Sequence, residues 1–142
     1  MAKLKKKKPK SYAKLKKALD RVFSLYIRFK ASDGRGVATC VSCGAIGPLK
    51  DLQCGHFVSR SYLATRWLEA NCATQCVQCN IFKKGNLAAY AAWGVGVYGP
   101  DWPARMVALS KTPTKYSRSD LEALILDYET RVETLGVSDQ GK

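Results

Sequence analysis

The 142-residue chain predicts an α+β fold in which two helices flank a small metal-stapled centre. Three observations predict it. Two CxxC pairs, Cys40 with Cys43 and Cys76 with Cys79, offer four thiolates. Apolar residues recur at three- and four-residue steps near both ends, and the stretch between is cut into short runs by glycine and polar residues.

In chain order, residues 1–10 read as a flexible basic arm, because its lysines repel one another and Pro9 interrupts. Residues 11–142 read as a single zinc-containing domain, with its core at about 37–95 and flanking helices at about 11–31 and 120–135. In the first helix Leu15, Leu19, Val22, Phe23, Tyr26 and Ile27 form the apolar stripe, and Lys14, Lys17, Arg21 and Arg28 the opposite face. "SDGRG" ends it. "VATCVSCG" reads as a short strand entering a turn, and "LQCGHFVSR" as a second strand. Residues 71–93 read as a turn followed by a helix from about Cys79 to Trp93, "GVGVYGPDWP" as a loop, and 103–110 as a short helix. The last helix begins with a capping box, Ser119 with Glu122, carries the stripe Leu121, Leu124, Ile125, Tyr128, Val132 and Leu135, and stops at Gly136.

Composition narrows the function. Hydrophobic residues make up 46% of the chain, enough for a core, yet no run is long enough to span a membrane. The basic N-terminus is followed by no apolar signal-peptide region, so a reducing cytoplasm is the expected location, and cysteines there read as metal ligands before disulfides. Net charge is +13; residues 1–19 hold nine lysines and no acid, the centre is basic too, and the C-terminus is acidic. The partner this implies is a polyanion, nucleic acid being the commonest.

Each CxxC pair can sit on a tight turn that aims two thiolates at one ion, and Gly44 suits the first such turn. A shared structural zinc on Cys40, Cys43, Cys76 and Cys79 is the leading reading, against other pairings or plain buried thiols. Cys54 and Cys72 are left over as small buried or free thiols. The pairs lie 32 residues apart, whereas an ordinary zinc ribbon separates them by roughly 15–20. Something has been placed between the knuckles, and it contains His56, the only histidine.

The polar residues of that insert are Gln53, His56, Arg60, Arg66 and Asn71, with Asn80 just after the last cysteine. A neutral histidine can take a proton from water, and a hard divalent ion held by a few oxygens can stabilise charge on a phosphodiester. His56 therefore reads as a general base, as a further residue of the zinc site, or as a structural histidine. Arg60, Arg66, Lys83 and Lys84 are candidates to grip phosphates, and Trp67, Trp93 and Trp102 read as core.

A strand with His, a loop with Asn and a helix opening with Asn after CxxC resemble the order of HNH, or ββα-metal, nucleases. More specifically, "CVSCG", "LQCGHFVSR", "RWLEANCATQCVQCNIFKKGN", Tyr90 and the preceding "VFSLYIRFK" resemble the phage lambda NinG (Rap) recombination endonucleases over roughly residues 20–100. The stretch is more distantly similar to phage endonuclease VII. The resemblance implies a small zinc-stapled HNH-like centre and divalent-metal-dependent cleavage of branched DNA, such as Holliday junctions, in the cytoplasm of the infected cell. It implies His56 as general base, Asn71 as the central asparagine, and Asn80 as a ligand of a catalytic Mg²⁺ or Mn²⁺. Where HNH enzymes usually place Asp or His as second ligand, this chain has Gln53, whose amide oxygen is the candidate. The alternatives are a non-catalytic zinc-knuckle accessory protein of recombination and an HNH nickase of ordinary duplex. Two symmetric cuts imply a homodimer, with the C-terminal helix as interface unless its stripe packs on the chain's own first helix.

Overall fold

The computed structural model describes residues 8–136; most of the basic arm and the last residues lie outside them. Helix α1, Tyr12–Ala31, is capped by Ser11, whose side chain accepts from the Lys14 backbone N–H. It buries Leu15, Leu19, Val22, Phe23 and Ile27 as its periodicity predicts, and Phe29 as well. Two small antiparallel sheets follow. Strands β1, Val37–Thr39, and β2, Ile46–Pro48, form the first, with Cys40 and Cys43 in the turn between them. Strands β3, Leu52–His56, and β4, Cys72–Cys76, form the second, in the register Leu52 with Cys76, Gln53 with Gln75 and His56 with Cys72. A four-residue helix, α2 (Leu63–Arg66), lies in the β3–β4 connection. Helices α3, Leu87–Tyr98, α4, Trp102–Ser110, and α5, Arg118–Thr134, complete the chain.

The architecture is α+β, and the structure corrects its details in four places. Residues 72–76 form a strand rather than a turn. Four of the five residues of β4 are buried, so the segment lacks the in–out alternation that marks a half-exposed strand. The helix expected from Cys79 is instead a wide turn over Gln78–Phe82, in which Lys83 N–H reaches Gln78 O at 2.8 Å. It is then broken by Lys84, Gly85 and Asn86 at positive φ, and α3 starts only at Leu87. The expected loop at 94–98 continues α3, because the six-membered ring of Trp102 lies over Gly94, where a Cβ would stand 2.1 Å from it. Finally, the C-terminal capping box is Ser117 with Asp120, each accepting the other's backbone N–H at 3.0 and 2.8 Å. The same motif two residues later is passed over, since the earlier start lets Tyr116, just outside the helix, join Leu121 in one apolar cluster.

Three clusters hold these elements together. The largest joins α1 and α5 through Phe23, Leu121 and Tyr128, with Phe23 edge-on to Tyr128 at 5.1 Å, and reaches Cys72 and Trp67. Leu124, Ile125 and Val132 pack against the same cluster, so the α5 stripe is covered by the chain's own first helix, while Leu135 is exposed. A second cluster sits under β1 and β3 around Phe29 and Leu52. The third sets Tyr90, Trp102 and Met106 against the opposite side of the β3–β4 sheet, at Ala73. All three tryptophans pack in or against these cores, as expected. No helix among the described residues is long and apolar enough to cross a membrane.

Candidate functional site

The four cysteines of the two CxxC pairs converge, with sulfurs all within 4.8 Å of one another and Cys43 Sγ 3.7 Å from Cys76 Sγ. Val41 N–H donates to Thr74 O at 3.0 Å and so fastens the first knuckle to β4. The second knuckle wraps its own sulfurs: Cys79 N–H donates to Cys76 Sγ and Asn86 Nδ2 to Cys79 Sγ, each at 3.4 Å. Burial raises the Cys40 thiol, but backbone N–H groups of Cys76, Cys43 and Ser42 outweigh it and bring the thiol down to about 7. Burial pushes Cys79 up to about 12, so an ion must displace that proton. Four sulfurs with N–H donors around them fit a zinc ion, and the cluster can hold one. Sequence reasoning missed Asn86, the only one of these donors that is a side chain; its signal is the Gly-Asn that follows the last CxxC.

His56 ends β3 and lines a pocket of about 630 Å³ that runs between that strand, α1 and the second knuckle. Its Nε2 lies 2.8 Å from Arg66 O. A carbonyl only accepts, so in the neutral ring Nε2 carries the proton and Nδ1 the lone pair. Burial lowers the His56 pKa from its ordinary 6.5; the Arg66 carbonyl and then Asp20 oppose it, and the smaller effects of the Arg60 and Arg66 charges act with burial. The ring is therefore neutral at pH 7.

The glycine before it is dictated by packing: a Cβ on Gly55 would stand 1.9 Å from Gln75 Oε1. Tyr90 Oη donates to Gly55 O at 2.9 Å, tying α3 to the strand beside the histidine.

The remaining expected site residues divide. Gln53 and Asn80 are together in the same pocket, Asn80 Nδ2 donating to Gln53 Oε1 at 2.8 Å. Arg60 and Lys84 also line it. Asn71 is fully buried away from the pocket; its amide accepts from Val58 N–H at 2.9 Å and donates to Val58 O and Thr65 O, bracing the loop after His56. Arg66 is turned into a two-pronged ion pair with Asp20, at 2.6 and 3.0 Å, and is not among the pocket's lining residues. Lys83 is exposed and is not among the residues lining the pocket.

The pocket also holds residues that sequence reasoning missed: Asp20, Ser24 and Arg28 of α1, and Lys50. The three helical residues sit at four-residue steps, a polar row next to the apolar stripe, and that spacing is the signal that could have found them. Arg28 is not on the solvent face expected for it; it is half-buried and donates to Leu49 O at 3.0 Å. Asp20 also accepts from Trp67 Nε1 at 2.9 Å.

Comparison with known families decides the relationship. The family model described as bacteriophage lambda NinG protein matches residues 1–137. The chain belongs to this family. No curated protein and no solved structure gives a significant match. NinG membership makes the chain a phage recombination-related protein, and the match extends over both flanking helices, beyond the 20–100 stretch that carries the motifs.

Proposed function

We propose that this NinG-family chain is an endonuclease that cuts branched DNA, Holliday junctions included, during phage recombination. One observation carries the reading: a neutral histidine with its tautomer fixed by Arg66 O shares a pocket with two amides and four cations, Arg28, Lys50, Arg60 and Lys84. His56 Nδ1 takes the proton from the attacking water. The cations receive the phosphodiester and offset charge on it. The β3–β4 hairpin followed by the turn bearing Asn80 supports an HNH-like arrangement. Asn71 and Asp20 act as positioning residues, the first through the loop after His56, the second through Arg66.

The amide oxygens of Asn80 and Gln53 are hard donors of the kind Mg²⁺ or Mn²⁺ accepts, but neither is charged. Asp20, the one carboxylate lining the pocket, is spent on Arg66 and Trp67. These residues would hold such an ion weakly, with the DNA phosphate supplying negative charge; when bound, it adds Lewis-acid stabilisation of the transition state. The same shortage favours a second reading, a zinc-knuckle accessory protein that binds branched DNA without cutting it. Because α5 is covered by α1, a homodimer making two symmetric cuts would meet through another surface.

The deciding experiment incubates the purified chain with labelled four-way junction and with linear duplex, with and without Mg²⁺ or Mn²⁺. Metal-dependent cutting of the junction in preference to duplex is expected, with His56→Ala lowering the rate at least ~10²-fold while binding persists. Binding without cutting supports the accessory reading, equal cutting of both substrates a duplex nickase, and full activity in His56→Ala removes the catalytic assignment.

A further inference from the structure

Cys54 and Cys72 take no part in the four-cysteine cluster, yet they do not lie apart from chemistry. Cys54 and His56 are two residues apart on β3 and so share a face of the hairpin, and Cys72 is the cross-strand partner of His56. The two sulfurs and an imidazole nitrogen lie within 4.8 Å of one another. That face packs toward α1, with Cys72 buried and with Cys54 and His56 reaching the pocket.

We propose that Cys54, His56 and Cys72 form a second site for zinc, separate from the four-cysteine centre and open to the pocket at its fourth position. The donor set is what the argument rests on. Two thiolates and one imidazole are borderline-soft ligands that select zinc over Mg²⁺, and three protein ligands leave room for a water or a phosphate oxygen. The histidine is already prepared as a ligand. Metal-bound imidazoles typically donate their other ring N–H to a carbonyl or carboxylate, and His56 Nε2 meets the Arg66 carbonyl at 2.8 Å, leaving Nδ1 to bind. Position on the hairpin supplies the rest: three residues on two paired strands are held at fixed spacing by backbone hydrogen bonds, so little ordering is required when the ion arrives.

This site has a consequence for the pocket. An ion here occupies the same lone pair that would accept water's proton, so zinc occupancy and base catalysis by His56 exclude one another. That consequence rests on the nuclease reading; the site itself does not.

Full-length protein carrying one tightly bound zinc, in reducing buffer, is equilibrated with micromolar free zinc and its metal content measured. About two ions per chain are expected for the wild type and about one for Cys54→Ser and Cys72→Ser, one closed and one open site being present. Cobalt titration identifies the ligands: the second equivalent should add a thiolate-to-cobalt charge-transfer band, absent in Cys54→Ser. Retention of the first zinc and an unchanged circular-dichroism spectrum show that each variant is folded; should one serine variant fail this, the other and His56→Ala carry the comparison. Saturation of the wild type at one ion overturns the proposal, as does a second ion that binds equally in the folded variants. The metal count does not depend on DNA. A chain that binds the second ion but never cuts DNA even with that site emptied leaves this site standing and removes the nuclease reading, and a single-ion chain that cuts junctions does the reverse.

Discussion

Arg66 serves His56 with its backbone and Asp20 with its side chain: its carbonyl holds His56 Nε2 at 2.8 Å while its guanidinium closes on the carboxylate at 2.6 Å. The ion pair is mostly shielded, its side chains 15% and 21% exposed, so the carboxylate on α1 fixes the loop that orients the histidine on β3.

Asp20→Asn should therefore be felt twice. An under-compensated guanidinium in a mostly shielded position costs about 3 kcal/mol, read as a lowered midpoint of denaturation. On the proposed reading DNA cutting should fall with kcat more affected than KM, as expected of a residue that orients the histidine rather than holding substrate. A loss confined to KM would move Asp20 to substrate binding.

Acid should silence the pocket only below the ordinary histidine range. His56 titrates below 6.5, chiefly through burial, so the rate of cutting should rise with pH through that lower range and level off at a lower pH than an ordinary histidine would allow. Stability follows the same window. The unfolded chain takes up this proton near 6.5 and the folded chain only at lower pH, so His56 withdraws stability as pH falls between the two. His56→Gln should flatten both profiles there; a rate that still climbs through neutrality would point to another base.

Lys84 pairs a pocket-lining cation with a backbone at φ 49°, in the left-handed region. Lys84→Gly should stabilise the fold by about 1 kcal/mol through relief of that conformation, while weakening DNA binding. Calorimetry and a binding isotherm read the two separately. Unchanged binding would show that the lysine does not reach phosphate.

Gly55→Ala should cost about 1–3 kcal/mol, since its methyl group would land on the Gln75 side chain. Gln75→Ala in the same chain should recover part of that loss, because it removes the obstructing atoms. Failure of the double variant to recover would mean that the strand backbone itself, rather than Gln75, demands glycine.

The parts legible in the sequence are those whose cause is local. Leu15 to Ile27 and Leu121 to Val132 repeat at helical steps because each buries one face, and the two CxxC pairs state their chemistry outright. What stayed hidden depends on partners distant in the chain. Strand β4 shows no alternation because α1 covers one of its faces and Tyr90 and Trp102 the other. Asp20, Ser24 and Arg28 enter the pocket only once α1 has docked on the hairpin. The break at Lys84–Asn86 follows the Cys79 sulfur, which Asn86 must turn back to reach. Among the site residues, His56, Gln53 and Asn80 do share a pocket, whereas Asn71 and Arg66 lie behind its wall.

Cys76 closes the β3–β4 ladder opposite Leu52 and also belongs to the four-cysteine cluster. A slip of one residue between the strands would turn His56 to the wrong side of the hairpin and, in the same movement, carry Cys76 away from its three companions. A misaligned chain would thus forfeit the cluster with which a correctly aligned one can hold an ion. An ion held by that cluster would act as a proofreading step in assembly, certifying from outside the pocket that the histidine has been delivered to the right address.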